Sequence, residues 1–372
     1  MDFALSDTQA ALKEALGRYL QARYDFETRR AIIRSEEGWS EAVWSGLAVE
    51  MGLCGAAIPE TADGQGGGGV EVMIAMEALG AAQVVEPFME NLAVAPRLLA
   101  NAGEAAARLL RQVAAGEARL AFAWMEAEQR YNRIAPATEA KPTAQGWSLS
   151  GAKIGVIGAQ IATHVIVSAK ANGEIGLFLI SRDALGEAIR PHRSIDDRLA
   201  SDLRFDNLPL AAAARIASGA EARQRIELGL DAATAAICAE AVGAMRVLLG
   251  DTVAYCKQRQ QFGQPIGQFQ ALQHRMVDMH LALEQANAAA HLAALKLDAP
   301  DLERRRAVSA AKLAINNTGR LIGQSAVQLH GGMGMTDELR VGHYFKRLTM
   351  IEHTLGDTDF HISRYQSARQ AG

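Results

Sequence analysis

The sequence predicts a mainly α fold with a small β domain: an N-terminal helical region, a middle antiparallel β domain and a C-terminal four-helix bundle. Three observations predict it. Alanine is abundant, aromatics supply only 5% of residues and hydrophobic residues 49%, a mix that favours closely packed helices over an all-β fold. Both ends of the chain repeat apolar residues at helical spacing, whereas residues 119–210 carry short β-type runs between turn signals. The 372 residues exceed what one core accommodates, so two or three domains are expected. The boundaries are read at 1–118, 119–220 and 221–372.

In the first region, Ser6 and Asp7 cap a helix whose Leu12, Leu16 and Leu20 recur every four residues. Trp44, Leu47, Met51 and Leu53 mark another. A glycine-rich run, Asp63 to Gly69, follows Pro59 and Glu60. Its glycines allow positive φ. It reads as a flexible turn or a phosphate cradle, although the Lys-Ser/Thr pair of such a cradle is absent. Residues 70–84 form the next helix, with Ile74, Ala78 and Ala82 on one stripe.

The middle region offers strands at 120–124, 147–154, 164–169, 176–180 and 203–205, with 190–200 polar and loop-like. The last region returns to helices at about 221–257, from 269 onward and at 302–329. A final segment, 341–365, completes four. The stripe of Met276 and Met279 with Leu272 and Leu283 reads as core.

Composition excludes some classes of function. A net charge of −4 provides no broad basic field for nucleic acid or anionic lipid. No run of eighteen uncharged apolar residues suggests a membrane span, and the N-terminus lacks the pattern of a signal peptide. Cys54, Cys238 and Cys256 are far apart in sequence and read as reduced core residues of a cytoplasmic protein. No metal site is expected.

Two stretches carry chemistry. Residues 259–270, RQQFGQPIGQFQ, combine a cation, an aromatic ring, helix breakers and five glutamines. Such donors at a chain turn suit a polyanion bearing a planar group, or simply a solvated helix connection. Gln328, Gly331, Gly332 and Gly334 form the second stretch, where a helix ends at a glycine pair. Gly331 as a helix C′ residue needs no ligand. His330 between them is either a donor to a ligand or a packed ring.

These stretches, in this order, resemble the signatures of acyl-CoA dehydrogenases, and the resemblance extends over nearly the whole chain. It implies FAD as cofactor. Arg259 and Phe262 of R-x-x-F-G, with Gln270, would serve the pyrophosphate end; Gln328, Gly331 and Gly332 of Q-x-x-G-G-x-G would contact the adenylate part. In the family this FAD lies across a subunit interface, so these residues would serve a neighbour's flavin. The resemblance also implies an acyl-CoA substrate, a dimer or tetramer, and an electron-transferring flavoprotein as redox partner.

The reaction removes an α-proton while a β-hydride moves to flavin N5, so a carboxylate must face the α-carbon. The family's two base positions hold Leu355 and Ala233 here. Asp357, Asp359 and Glu352 lie near the first, and Asp357 is the candidate substitute. Asp231 lies two residues from Ala233, about 200° around a helix, on the wrong face. The loop that meets the flavin ring in relatives reads Met125-Glu126-Ala127-Glu128-Gln129-Arg130-Tyr131-Asn132, and the hydroxyl-bearing flank reads Val156-Ile157-Gly158. The nucleotide-binding features persist and the ring and base features do not. That pattern resembles the small subunits of heterotetrameric acyl-CoA dehydrogenases of the pimeloyl-CoA and steroid-side-chain type. A homologous large subunit would then carry the base. The other readings are a self-sufficient homo-oligomer using Asp357, or a non-catalytic CoA-ester-binding scaffold.

Overall fold

The computed structural model describes residues 4–371. The chain begins with α1 (Asp7–Arg23), α2 (Phe26–Arg34), α3 (Glu41–Trp44), α4 (Gly69–Ala82), α5 (Ala95–Leu99) and α6 (Glu104–Ala114). Eight strands follow: β1 (Leu120–Ala123), β2 (Glu139–Thr143), β3 (Gly146–Ile157), β4 (His164–Ala171), β5 (Glu174–Ser181), β6 (Ile189–Arg193), β7 (Leu199–Ala211) and β8 (Arg215–Ser218), with α7 (Arg182–Leu185) after β5. The rest is α8 (Gly219–Gln258), a hairpin of β9 (Gln260–Gln261) and β10 (Gln264–Pro265), then α9 (Gln270–Leu295), α10 (Asp301–His330), α11 (Arg340–His353) and α12 (Thr358–Gln370). The expected helix–sheet–helix order is what forms.

The chain divides into two compact units. The helical unit holds residues up to Arg30, Gly69–Val84 and Thr234 onward. Here α1 starts with a capping box: Ser6 Oγ accepts from Gln9 N at 3.2 Å while Gln9 Oε1 accepts from Ser6 N at 3.0 Å. Leu16 and Leu20 are buried as expected. The crossing of α4 and α8 is made by two glycines. A Cβ on Gly80 would lie 2.1 Å from Glu240 O, and one on Gly243 1.9 Å from Glu77 O, so only hydrogen fits at either point. Arg347 of α11 pairs with Glu240 of α8 at 2.6 Å, both buried. The fourth helix expected at 341–365 is two helices, broken between His353 and Thr358.

The sheet unit holds Ala31–Gly68 and Val85–Ala233. Strand order is β6-β7-β3-β2-β4-β5-β8, with β1 also on β4. The expectation of an antiparallel domain needs one correction. Most pairs are antiparallel, but β1 and β2 both run parallel to β4, so the sheet is mixed. Residues 190–200, read as loop, contain β6, an edge strand able to carry Pro191 because its outer side has no ladder to complete. Trp147, Leu149, Val165, Phe178, Leu203 and Phe205 form the core of this unit.

Helix α8 contains an 18-residue window of mean hydropathy 1.6, long and apolar enough to cross a membrane, but 89% of it is buried inside the protein. It reads as a core helix. All three cysteines are free and buried, and burial pushes the Cys54 and Cys238 thiols up to about 12.

Candidate functional site: an open end of the helical bundle and a closed helix junction

Helix α8 ends where the chain folds into the β9–β10 hairpin. Ile266 N donates to Arg259 O at 2.8 Å to close it, and Gln261 pairs with Gln264. The two turn residues, Phe262 (φ 54°) and Gly263 (φ 78°), both have positive φ, as a two-residue hairpin turn of the primed type requires. A phenylalanine pays strain for that geometry, and its ring is 91% exposed, edge-on to Phe269 with centroids 6.1 Å apart. Arg259 and Gln270 are exposed beside it.

Helix α10 ends at the second stretch. Gly331 (φ 59°) donates to Gln328 O and stops the helix. A Cβ on Gly331 or Gly332 would meet nothing within 4 Å, whereas one on Gly334 would lie 2.8 Å from Val327 O. Gln328 is exposed. His330 is a packed ring: it is 5% exposed, its Nδ1 lies 2.8 Å from Ala326 O, and it stacks on Tyr255 at 4.3 Å. Tyr255 Oη also donates to His330 O at 3.4 Å. Since Tyr255 is one helical turn before Arg259, this stack ties the ends of α8 and α10 together. The two stretches, far apart in sequence, therefore share one end of the bundle. A guanidinium, two side-chain amides, an uncovered ring and open glycine backbone are groups of the kind that meet a polyanion bearing a planar group.

The base positions look different. Leu355 is 6% exposed and sits at φ 64°. Asp357 caps α12, its Oδ1 accepting from Phe360 N at 2.9 Å. Glu352 is held by Arg320, Nε to Oε2 at 3.3 Å, and Asp359 is exposed in the first turn of α12. Sequence reasoning missed the organiser of this junction, Lys312. Fully buried, its ammonium donates to Asn316 Oδ1 (2.8 Å), Ile351 O (2.8 Å), Glu352 O (3.3 Å) and Gly356 O (2.9 Å). Burial pushes its pKa down to about 8. A lysine within a helical pattern reads as surface; the only hint was its place among Ala311, Ala314 and Ile315.

In the sheet unit, Ala233 is 1% exposed, and Asp231 is fully buried. It accepts from Arg133 at 2.9 Å, with Glu227 at 3.5 Å from the same nitrogen. The loop 125–132 is pinned by Glu126, which accepts from Ala137 N (2.6 Å), Thr138 N (3.0 Å), Thr138 Oγ1 (2.6 Å) and Lys153 Nζ (2.7 Å). Burial works to raise the Glu126 pKa, but the Lys153 ammonium and the other donors outweigh it and hold it low. Arg130 (φ 45°) lies over Tyr131. Among the described residues no group of three or more His, Cys, Asp or Glu side chains could hold a metal ion.

Comparison with known proteins fits this architecture. The N-terminal domain model of acyl-CoA dehydrogenases matches residues 6–117 and the C-terminal domain model matches 209–368. The chain is 27% identical to acyl-CoA dehydrogenase IpdE2 of Mycolicibacterium smegmatis, over 98% of this chain and 99% of that protein. A variant of the Tcur3481–Tcur3483 steroid ACAD superposes with a TM-score of 0.87 at 28% identity, covering 98% of both chains. The FAD complex of PigA superposes with a TM-score of 0.83 at 26% identity, covering 100% of this chain and 99% of that one. The chain belongs to the acyl-CoA dehydrogenase family, flavin-dependent oxidoreductases acting on CH–CH bonds.

Proposed function

We propose that this chain is the small, base-lacking subunit of a heteromeric acyl-CoA dehydrogenase. It would complete the FAD site of a homologous large subunit, and together they would desaturate an acyl-CoA thioester between Cα and Cβ. The observation that carries this reading is the state of the two base positions: Leu355 and Ala233 are buried and apolar, and the nearest alternative, Asp357, is a helix cap. A solved relative named for two paired proteins, Tcur3481–Tcur3483, supports the heteromeric arrangement. The same name favours a steroid-derived acyl group, and an electron-transferring flavoprotein is the redox partner we expect.

In this reading Arg259 would neutralise the pyrophosphate of FAD, Phe262 would be covered by the bound nucleotide, and Gln270 would donate to it. Gln328 with the Gly331–Gly332 backbone would receive the adenylate part. FAD held there would supply the acceptor for the β-hydride, and the α-proton would pass to a carboxylate of the large subunit.

The test is to purify this chain alone and with its large partner, then measure flavin absorbance and acyl-CoA oxidation with an artificial electron acceptor. Turnover only in the assembled protein supports the proposal. Turnover by this chain alone overturns it, and a fully active complex without flavin contact to this chain would mark a scaffold.

A further inference from the structure

The structure assigns a second ligand site to the helical unit: a cleft that takes an uncharged, mostly apolar molecule bearing one hydrogen-bond acceptor. The cleft has a volume of about 330 Å³ and lies between α1, the start of α2, the end of α4 and α11; none of the cofactor-site residues named above lines it. That volume is at the small end of the ~300–1,000 Å³ usual for small-molecule sites. Its walls are mainly apolar: Leu20, Tyr24, Phe26, Ala78, Ala81 and Tyr344.

Two residues there lack a structural explanation. Gly17 sits in the interior of α1, where glycine is a destabilising choice. No neighbour requires it, since a Cβ would meet nothing within 4 Å. Its missing side chain leaves one wall of the cleft open. Gln83 follows α4 at φ 56° and is 5% exposed. Arg29 Nε fixes its backbone by donating to Gln83 O at 3.1 Å. Its amide Nε2 is buried with no hydrogen-bond partner among the described residues. A buried donor without an acceptor is unfavourable, and a ligand oxygen would relieve it.

The other polar groups define the ligand by exclusion. Tyr344 gives its hydroxyl to Ala81 O. Arg340 is paired with Asp251, Nη2 to Oδ1 at 2.5 Å. Asp25 accepts from Thr28 N at 2.7 Å. A charged ligand would find no uncommitted counter-charge, whereas an aryl or alkyl carbonyl would meet one buried donor, aromatic and aliphatic walls, and the amide of the exposed Gln21.

The probes are the aryl ketone acetonaphthone and its hydrocarbon analogue ethylnaphthalene, titrated by calorimetry into the full chain. The ketone is expected to saturate one site and to bind about three- to tenfold tighter than the hydrocarbon. Gly17→Leu should weaken ketone binding by more than about tenfold by filling the open wall, with a melting temperature unchanged or higher because leucine is the better helix former. Gln83→Met should abolish the preference for ketone over hydrocarbon. Independently of any variant, a crystal soaked with the ketone should show its oxygen within hydrogen-bond distance of Gln83 Nε2. No saturable binding, equal affinity for both probes in the unaltered protein, or undiminished binding to a folded Gly17→Leu chain would each overturn the assignment.

Discussion

The end of α10 and the α11–α12 junction belong to the same helical unit yet treat polar groups in opposite ways. Around the β9–β10 hairpin and Gly331, donors and a phenyl ring face outward: Arg259, Gln270 and Gln328 are exposed, and Phe262 is 91% exposed at a strained φ. At the junction the polar groups are used internally. Lys312 satisfies three backbone carbonyls, Asp357 caps a helix, Arg320 holds Glu352, and the remaining position is a leucine. Binding a polyanion needs donors that still lack partners. Catalytic proton abstraction needs a carboxylate free to meet a substrate. The first region leaves its donors exposed, and in the second Asp357 and Glu352 are engaged in a helix cap and an ion pair.

Four substitutions separate the two regions, the largest effect first. Lys312→Met should strike the junction alone. Leaving buried carbonyls without donors costs about 2–4 kcal/mol of unfolding free energy by denaturant titration, while flavin retention in the assembled protein stays near normal. The same variant carries a pH signature. Burial holds Lys312 near 8 in the folded chain against an ordinary 10.5. Between those values the unfolded chain binds more protons, so this group makes stability rise with pH from about 8 toward 10.5. The methionine variant should lose that component of the slope, and an unchanged slope would place the titrating group elsewhere.

Arg259→Ala should act only on the open end. Loss of a charge-assisted contact to phosphate is expected to weaken FAD retention at least tenfold, since such bonds are worth about 1.5–3 kcal/mol. Melting of the flavin-free chain should be unchanged, and normal flavin occupancy in the complex would remove Arg259 from the site. Asp357→Ala should lower stability by about 1 kcal/mol through loss of the cap and leave turnover of the complex intact; abolished turnover, shared by the better-capping Asp357→Asn, would restore Asp357 as a base. Gln328→Ala should have the smallest effect, roughly a two- to tenfold loss of FAD affinity for one neutral hydrogen bond, visible in equilibrium dialysis of the complex.

Much of this contrast was legible in the sequence. The alanine-rich periodicity located α8, α10 and the start of α9 to within a few residues, because long amphipathic patterns average over local exceptions. The R-x-x-F-G and Q-x-x-G-G-x-G stretches marked what the Tyr255–His330 stack brings together, although the stack itself could not be read from spacing. The short polar strands were lost. Glu139–Thr143 and Ile189–Arg193 contain Pro142 and Pro191 with charged neighbours, and what makes them strands is the ladder offered by β3 and β7, a tertiary effect. The β9–β10 hairpin was read as a plain break because two-residue strands carry no period. Buried Lys312 and Asp231 were invisible for the same reason: their partners come from distant segments, and propensity places both residue types outside.

Gly80 and Gly243 carry a consequence for the history of the chain. Each helix presses its bare backbone into the other's, carbonyl against α-carbon, with a side-chain pair absent from both sides of the crossing. Enlarging either glycine drives it into backbone, that of Glu240 or of Glu77, which no side-chain change on the other helix can withdraw. Loops and pocket walls can drift one change at a time, but this crossing offers no such intermediate steps.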